Sequence, residues 1–145
     1  HLIIETGSVN ILILFNFFIS SFMFGLIFTT QIVSYPMLFK VKSTNFKIYH
    51  EHYVEKISFI VMPLMALELI IATLLVYMSN SIIINLIFCN LMLIFLSTYF
   101  IQVPIHEKIK TDPNEKLLLR LVRTNWIRTL LWMVKCIFSI QLLLV

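Results

Sequence analysis

The placement of charge constrains this chain more than any other feature. Of its eleven Lys and Arg residues, all but Lys135 fall in two segments, Lys40 to Lys56 and Lys108 to Arg128. Thr6 to Phe39 carries no charge, Ile57 to His106 carries only Glu68, and Thr129 to Val145 carries only Lys135. Uncharged apolar runs beyond about 20 residues read as membrane spans, because bilayer hydrocarbon is about 30 Å thick and a helix rises about 1.5 Å per residue. The pattern predicts an all-α integral membrane protein, and it isolates Glu68 and Lys135 as charges that solvation does not explain.

Composition agrees. The chain is 60% hydrophobic, too apolar for a soluble domain of this size to cover its surface with polar groups. Spanning structures are helices or closed barrels, and the alternation of apolar and polar residues that a barrel needs is absent. With only two Gly and four Pro, long unbroken helices are expected. The expected architecture is one domain, 1-145, built as an antiparallel four-transmembrane-helix bundle with amphipathic cytoplasmic helix extensions. The spans are placed at about 9-39, 57-78, 82-103 and 125-145. Ser43 is expected to cap a helix through Lys56 that lies on the membrane or extends the second span. Ser79-Asn80-Ser81 reads as a tight hairpin, Pro104 as the end of the third span, and Pro113 or Asn114 as the start of the fourth helix.

The formal net charge of +4 does not point to nucleic acid, since the basic residues flank apolar spans. Lys40, Lys42, Lys47 and Lys56 follow the first span, and Lys108, Lys110, Lys116, Arg120 and Arg123 follow the third. Basic loops stay cytoplasmic, so both termini are expected outside. The chain starts at His1 rather than Met, which suggests processing, and its first residues lack the pattern of a signal peptide. Cys89 and Cys136 lie in apolar runs without metal-type spacing and read as small hydrophobes. The Phe-rich first span reads as lipid-facing or packing surface. No phosphate loop, Gly-rich dinucleotide turn, zinc spacing or serine-nucleophile motif occurs.

Helical spacing gathers the remaining polar residues into stripes. Asn125, Arg128, Trp132, Lys135 and Ser139 recur at steps of three or four and share one face. His50 and Glu68 are eighteen residues apart, five full turns, and share a face of the second long helix. Glu68 and Lys135 fall at similar depth on helices running the same way, which predicts a buried ion pair, because either charge alone in hydrocarbon costs about 3 kcal/mol or more. A second cluster is expected at the cytoplasmic mouth: Gln31, Tyr35, His50, Tyr53, Gln102, His106, Asn125 and Arg128. There His50 and His106 are candidate general bases or haem ligands. Arg128 and Asn125 are candidate holders of an oxyanion, and Gln31, Tyr35, Tyr53, Gln102 and Trp132 are candidate substrate contacts. Glu51 or Glu107 is expected to supply the countercharge to Arg128. His52 should point away from His50, because positions i and i+2 do not share a face.

Four segments occur in a recognisable order: Tyr35-Pro36-Met37-Leu38-Phe39, Tyr49-His50 with Met62-Pro63, Gln102-Val103-Pro104-Ile105-His106, and Arg123-Thr124-Asn125-Trp126-Ile127-Arg128. In these the chain, from about Gln31 to Cys136, resembles bacterial members of the anthrone-oxygenase-like family of small four-span membrane proteins. The resemblance implies a bacterial inner-membrane location. It also implies an oxidoreductase or oxygenase acting on a lipophilic aromatic molecule without a dedicated metal or flavin. Two alternatives stand beside it. One is a haem-b protein with His50 and His106 as axial ligands. The other is a non-catalytic small subunit or assembly factor, in a homo-oligomer or a larger membrane complex.

Overall fold

The structure is a computed structural model and describes residues 2–144, with side-chain surroundings defined from residue 7; the expected last span residue, Val145, lies outside it. Every regular element among the described residues is helical. Helix α1 runs Leu2–Thr29, passes through a π-helical turn Thr30–Ser34, and continues as α2, Tyr35–Leu38. Helix α3 spans Ser43–Met78. Helix α4, Ile82–Ser97, passes through a second π turn, Thr98–Gln102, into α5, Val103–Thr111. Helix α6 spans Glu115–Leu144. These form four rods, Gly7–Leu38, Ser43–Met78, Ile82–Thr111 and Glu115–Leu144, each long and apolar enough to cross a membrane.

The two π turns have a common cause. Each is followed by a proline, Pro36 or Pro104, six residues after a threonine, Thr30 or Thr98, that opens the turn. Proline lacks an N–H and its ring collides with the carbonyl four residues back. Widening the preceding turn absorbs that conflict without ending the helix, and such bulges gather at functional sites. Each threonine hydroxyl is turned back onto its own helix, Thr30 donating to the Leu26 carbonyl at 2.9 Å and Thr98 to that of Ile94 at 2.8 Å.

Several expected boundaries are corrected by this geometry. The third rod does not close at Pro104 but continues to Thr111. The segment from Ser43 to Lys56 takes the second of its two expected forms, an extension of the second span, in one continuous α3 that also runs through Pro63 unbroken. Ser43 is the first helical residue rather than the cap. Lys42, still extended at φ −59° and ψ 139°, holds the cap position without a side-chain bond. At α6 the cap is Asn114, whose Oδ1 accepts the Leu117 N–H at 2.9 Å, so the helix proper begins at Glu115.

One end of the bundle gathers the 39–42 and 112–114 connections around a shared groove. The other gathers the 79–81 turn, Asn10 and Leu142. Helix α6 is the hub and packs most extensively against α1 and α4. The main core runs through Met23, Ile27, Leu75, Leu91, Ile94 and Trp132. A smaller apolar cluster, with Leu38, Phe46, Ile105, Ile109 and Leu121, closes the two-loop end. The outer surface is apolar, with Phe15, Phe18, Phe59 and Phe100 exposed. A lipid-like surround gives such a surface a reason that water does not. Most of the buried polar side chains gather in two layers, one at the middle of the rods and one toward the two-loop end; Asn90, on α4, instead donates to the Leu131 carbonyl.

Candidate functional site

The middle layer is built on Lys135. Its Nζ lies 2.8 Å from Glu68 Oε1, and both side chains are 0% exposed. The ammonium also donates to Asn16 Oδ1 at 3.2 Å and Ser20 Oγ at 2.5 Å, so its three protons have three acceptors. Around it, Asn16 Nδ2 donates to Ser139 Oγ at 2.9 Å, and Trp132 Nε1 is directed at both Glu68 oxygens at 3.3 and 3.4 Å. Helices α1, α3 and α6 are thereby joined through one saturated node. Asn16 and Ser20 were not among the expected partners. Their signal was the step of four between an amide and a hydroxyl inside a charge-free span.

The second layer lies two helical turns along α6, and it is assembled differently. The first π turn presents Gln31, which accepts from Asn125 Nδ2 at 2.9 Å and donates to the Val122 carbonyl at 3.0 Å. The second presents Gln102, whose Nε2 donates to Thr124 Oγ1 at 3.0 Å. The two π turns thus grip the 122–125 turn of α6 from opposite neighbours. One turn further on, Tyr35 and His106 meet, with the phenol oxygen 3.1 Å from His106 Nε2. The other ring nitrogen of His106, Nδ1, lies 3.0 Å from His50 Nε2 on α3. The rings brace one another: His50 stacks on His106 at a 5.2 Å centroid separation and on Phe46 at 5.8 Å. Tyr53 packs edge-on against Tyr35 at 6.3 Å.

Arg128 is buried in this layer with 6% exposure. The one direct hydrogen bond that closes on it among the described residues is long, NH1 to Asn125 Oδ1 at 3.4 Å. The guanidinium lies beside the Tyr35 oxygen and over the Trp132 ring, 5.4 Å from its centroid. No carboxylate among the described residues pairs with it. The expected countercharge is corrected here. Glu107 is bonded to Lys110, its neighbour three residues along α5, at 2.6 Å, and Glu51 is exposed. A partner one turn away on the same helix is simply closer than one in the interior.

The polar accounting of this layer does not close. Buried side-chain atoms without a hydrogen-bond partner include Arg128 Nε, Gln102 Oε1, His50 Nδ1 and Tyr53 OH, all in this cluster. The Tyr53 hydroxyl is directed toward Thr30 and Ser34 without closing a bond to either. Beside them lies a cavity of about 310 Å³. Its polar wall includes Thr30, Tyr35, Gln102, His106 and Arg128, and its apolar wall includes Ile27, Ile57, Val61 and Met62. Much of its wall comes from α3 and α5, two elements that touch each other little. Lys110 and Glu107 stand at its rim. A concave, largely apolar pocket with a few converging polar groups is the usual form of a small-molecule site.

Of the expected site residues, the structure brings together Gln31, Tyr35, His50, Tyr53, Gln102, His106, Asn125 and Arg128. Trp132 stands between the two layers, touching Arg128 with its face and Glu68 with its N–H. His52 is exposed, away from the cluster. The haem alternative does not fit. A porphyrin must pass between two axial imidazoles, whereas the His50 and His106 rings are stacked and hydrogen-bonded to each other. Among the described residues no group of three or more His, Cys, Asp or Glu side chains converges on a metal-sized site.

The fold and cavity define a class: an all-helical protein with four rods capable of spanning a membrane and, toward one end, a largely apolar cavity with a few converging polar groups. The chain matches no family model, no curated protein and no solved structure.

Proposed function

We propose that this chain is a multi-pass membrane protein of antiparallel spans, with both basic loops cytoplasmic, that oxidises a lipophilic aromatic molecule drawn from the bilayer into the cavity between α3 and α5. The apolar outer surface and the asymmetry of Lys and Arg support the membrane reading. Labelling of cysteines introduced at Lys47 and Lys110 should find both on the cytoplasmic side. Labelling from opposite sides would contradict that orientation.

The observation that carries the chemistry is that the Tyr35–His106 pair and the unpaired Arg128 guanidinium share one cavity with an apolar wall. Arg128, oriented by Asn125, suits the oxygen on which negative charge develops when a proton leaves the carbon of a ring methylene conjugated to a carbonyl. The Tyr35–His106 pair suits removal of that proton. The resulting carbanion reacts with dioxygen. One oxygen atom stays on carbon as a new carbonyl and the other leaves as water with the methylene's two hydrogens, so the four electrons balance without an external reductant. The resemblance to the anthrone-oxygenase-like family supports this reaction class.

The test is oxygen uptake by purified protein in lipid nanodiscs supplied with a hydroxyanthrone. Wild type should form the quinone well above the spontaneous rate, and Arg128→Met and His106→Phe should return it to that rate while remaining helical. A wild type no faster than buffer would remove the oxidase reading. A second reading, a non-catalytic subunit, is favoured by the saturated Glu68–Lys135 node, which has the form of a packing device. It requires a stoichiometric partner to co-purify in mild detergent.

A further inference from the structure

The chain of rings behind the cavity does not end where the cavity ends. Tyr35 and His106 line the cavity, and His50 does not. Yet His50 Nε2 is bonded to His106 Nδ1 at 3.0 Å, and His50 Nδ1 is buried with no partner. The three side chains come from α2, α5 and α3, three separate elements converging on one line of hydrogen bonds. Helix α3 begins only seven residues before His50, so the line runs from the cavity wall toward the two-loop end.

We propose that Tyr35, His106 and His50 form a proton relay that carries the proton taken in the cavity to the two-loop end of the bundle, with His50 Nδ1 as its release point. The proposal rests on the reading that a proton is removed from a substrate in the cavity.

The polarity of the chain follows from its neighbours. A guanidinium only donates, so the Tyr35 oxygen beside Arg128 is an acceptor toward it and gives its own proton to His106 Nε2. His106, accepting at Nε2, carries its proton on Nδ1 and donates to His50 Nε2. His50 then carries its proton on Nδ1, where the structure offers no acceptor. When a substrate proton reaches the Tyr35 oxygen, the tyrosyl proton passes to His106 Nε2, the His106 Nδ1 proton passes to His50 Nε2, and the His50 Nδ1 proton leaves. The product chain has the same heavy atoms and the same two bonds with their direction reversed. One proton has entered, one has left, and neither imidazole has become a buried cation. A merely structural cluster gains nothing from open ends, and the Lys135 node shows how this protein builds a closed one.

The charged and titratable groups facing the relay are consistent with release at this end. Around His50 stand Glu51 on its own helix and Glu107 and Lys110 on α5. Around His106 stand His50, Arg128 and Lys110, and beside Tyr35 stands Tyr53. Glu51 and Glu107 are exposed carboxylates whose charge acts on His50, and they suit receipt of the proton.

The experiment pairs kinetics with ¹⁵N-histidine NMR on the full chain in nanodiscs. His50→Phe keeps the ring stacked between Phe46 and His106 but ends the chain. His50→Gln keeps a hydrogen-bonding partner for His106 but cannot pass a proton through. If His50 is a relay, both variants lower kcat by about 10²-fold, leave KM for the hydroxyanthrone near the wild-type value, and recover part of the rate with imidazole in solution. If His50→Gln turns over normally, His50 only anchors His106 and the relay is wrong. The NMR arm needs no turnover. Wild type should carry its protons on Nδ1 of both His50 and His106, and Tyr35→Phe should change the His106 nitrogen shifts. His106 shifts indifferent to both His50→Phe and Tyr35→Phe would overturn the relay. Failure of wild-type turnover alone, with these shifts coupled, would instead count against the oxidase.

Discussion

Two polar nodes sit two turns apart on one face of α6, and they are built to opposite specifications. At Lys135 every ammonium proton has an acceptor, the countercharge is in contact, and nothing is left for a ligand. At Arg128, among the described residues, the guanidinium has one long bond to Asn125, the Tyr35 oxygen beside it, no carboxylate and an idle Nε beside a cavity. Both charges are buried, so burial does not separate them; saturation does. A closed network fixes how helices meet, and its parts are costly to remove singly. An open one carries unmet hydrogen-bonding capacity that a bound molecule can satisfy.

That contrast sets the order of expected effects on stability, measured as unfolding in detergent. Lys135→Met strands Glu68 without a partner and should cost about 3–5 kcal/mol, the usual penalty for breaking a buried pair. The double variant with Glu68→Leu should lose far less than the sum of the single variants. Additive losses would mean the two residues do not interact. Asn16→Leu removes the acceptor of one charged hydrogen bond and the donor to Ser139, so a loss of about 2 kcal/mol is expected. Gln102→Met gives up one neutral bond to Thr124 and also removes an idle oxygen, for a net change within about 1 kcal/mol. Arg128→Met should come last, near zero or slightly stabilising, because it removes a buried charge that no carboxylate among the described residues neutralises. Should Arg128→Met prove as damaging as Lys135→Met, the two nodes would be the same kind of structure and the comparison would fail.

The stripe on α6 was legible because Asn125, Arg128, Trp132, Lys135 and Ser139 keep a regular step along an unbroken helix, and all five are buried. The rods themselves were legible from the charge-free runs. What periodicity could not supply was anything beyond a π turn. One extra residue rotates all that follows by about 100° at 3.6 residues per turn. That Tyr35 and His106 belong to one cluster was legible from their depth, but their direct contact, each just past a π turn, was not. The same turns let the helix pass Pro104, which reads as a terminator by its chemistry alone. Asn16 and Ser20 were overlooked because a pair of small polar residues in an apolar span is informative only once the ammonium they meet is known. Glu107 stays at the surface because Lys110, one turn along the same helix, is a nearer partner than the buried Arg128.

The most direct test of the open node is ligand-dependent stability. The unfolding midpoint of wild type and of Arg128→Met would be measured in nanodiscs with and without a saturating hydroxyanthrone. A ligand that binds only the folded state raises stability by about 2.7 kcal/mol at one hundred times its Kd. Wild type should show a shift of that kind and Arg128→Met should show little or none, while Gln102→Met keeps part of it. Equal shifts in wild type and Arg128→Met, or none in either, would contradict the claim that the unsaturated cluster around Arg128 is where this protein holds its ligand.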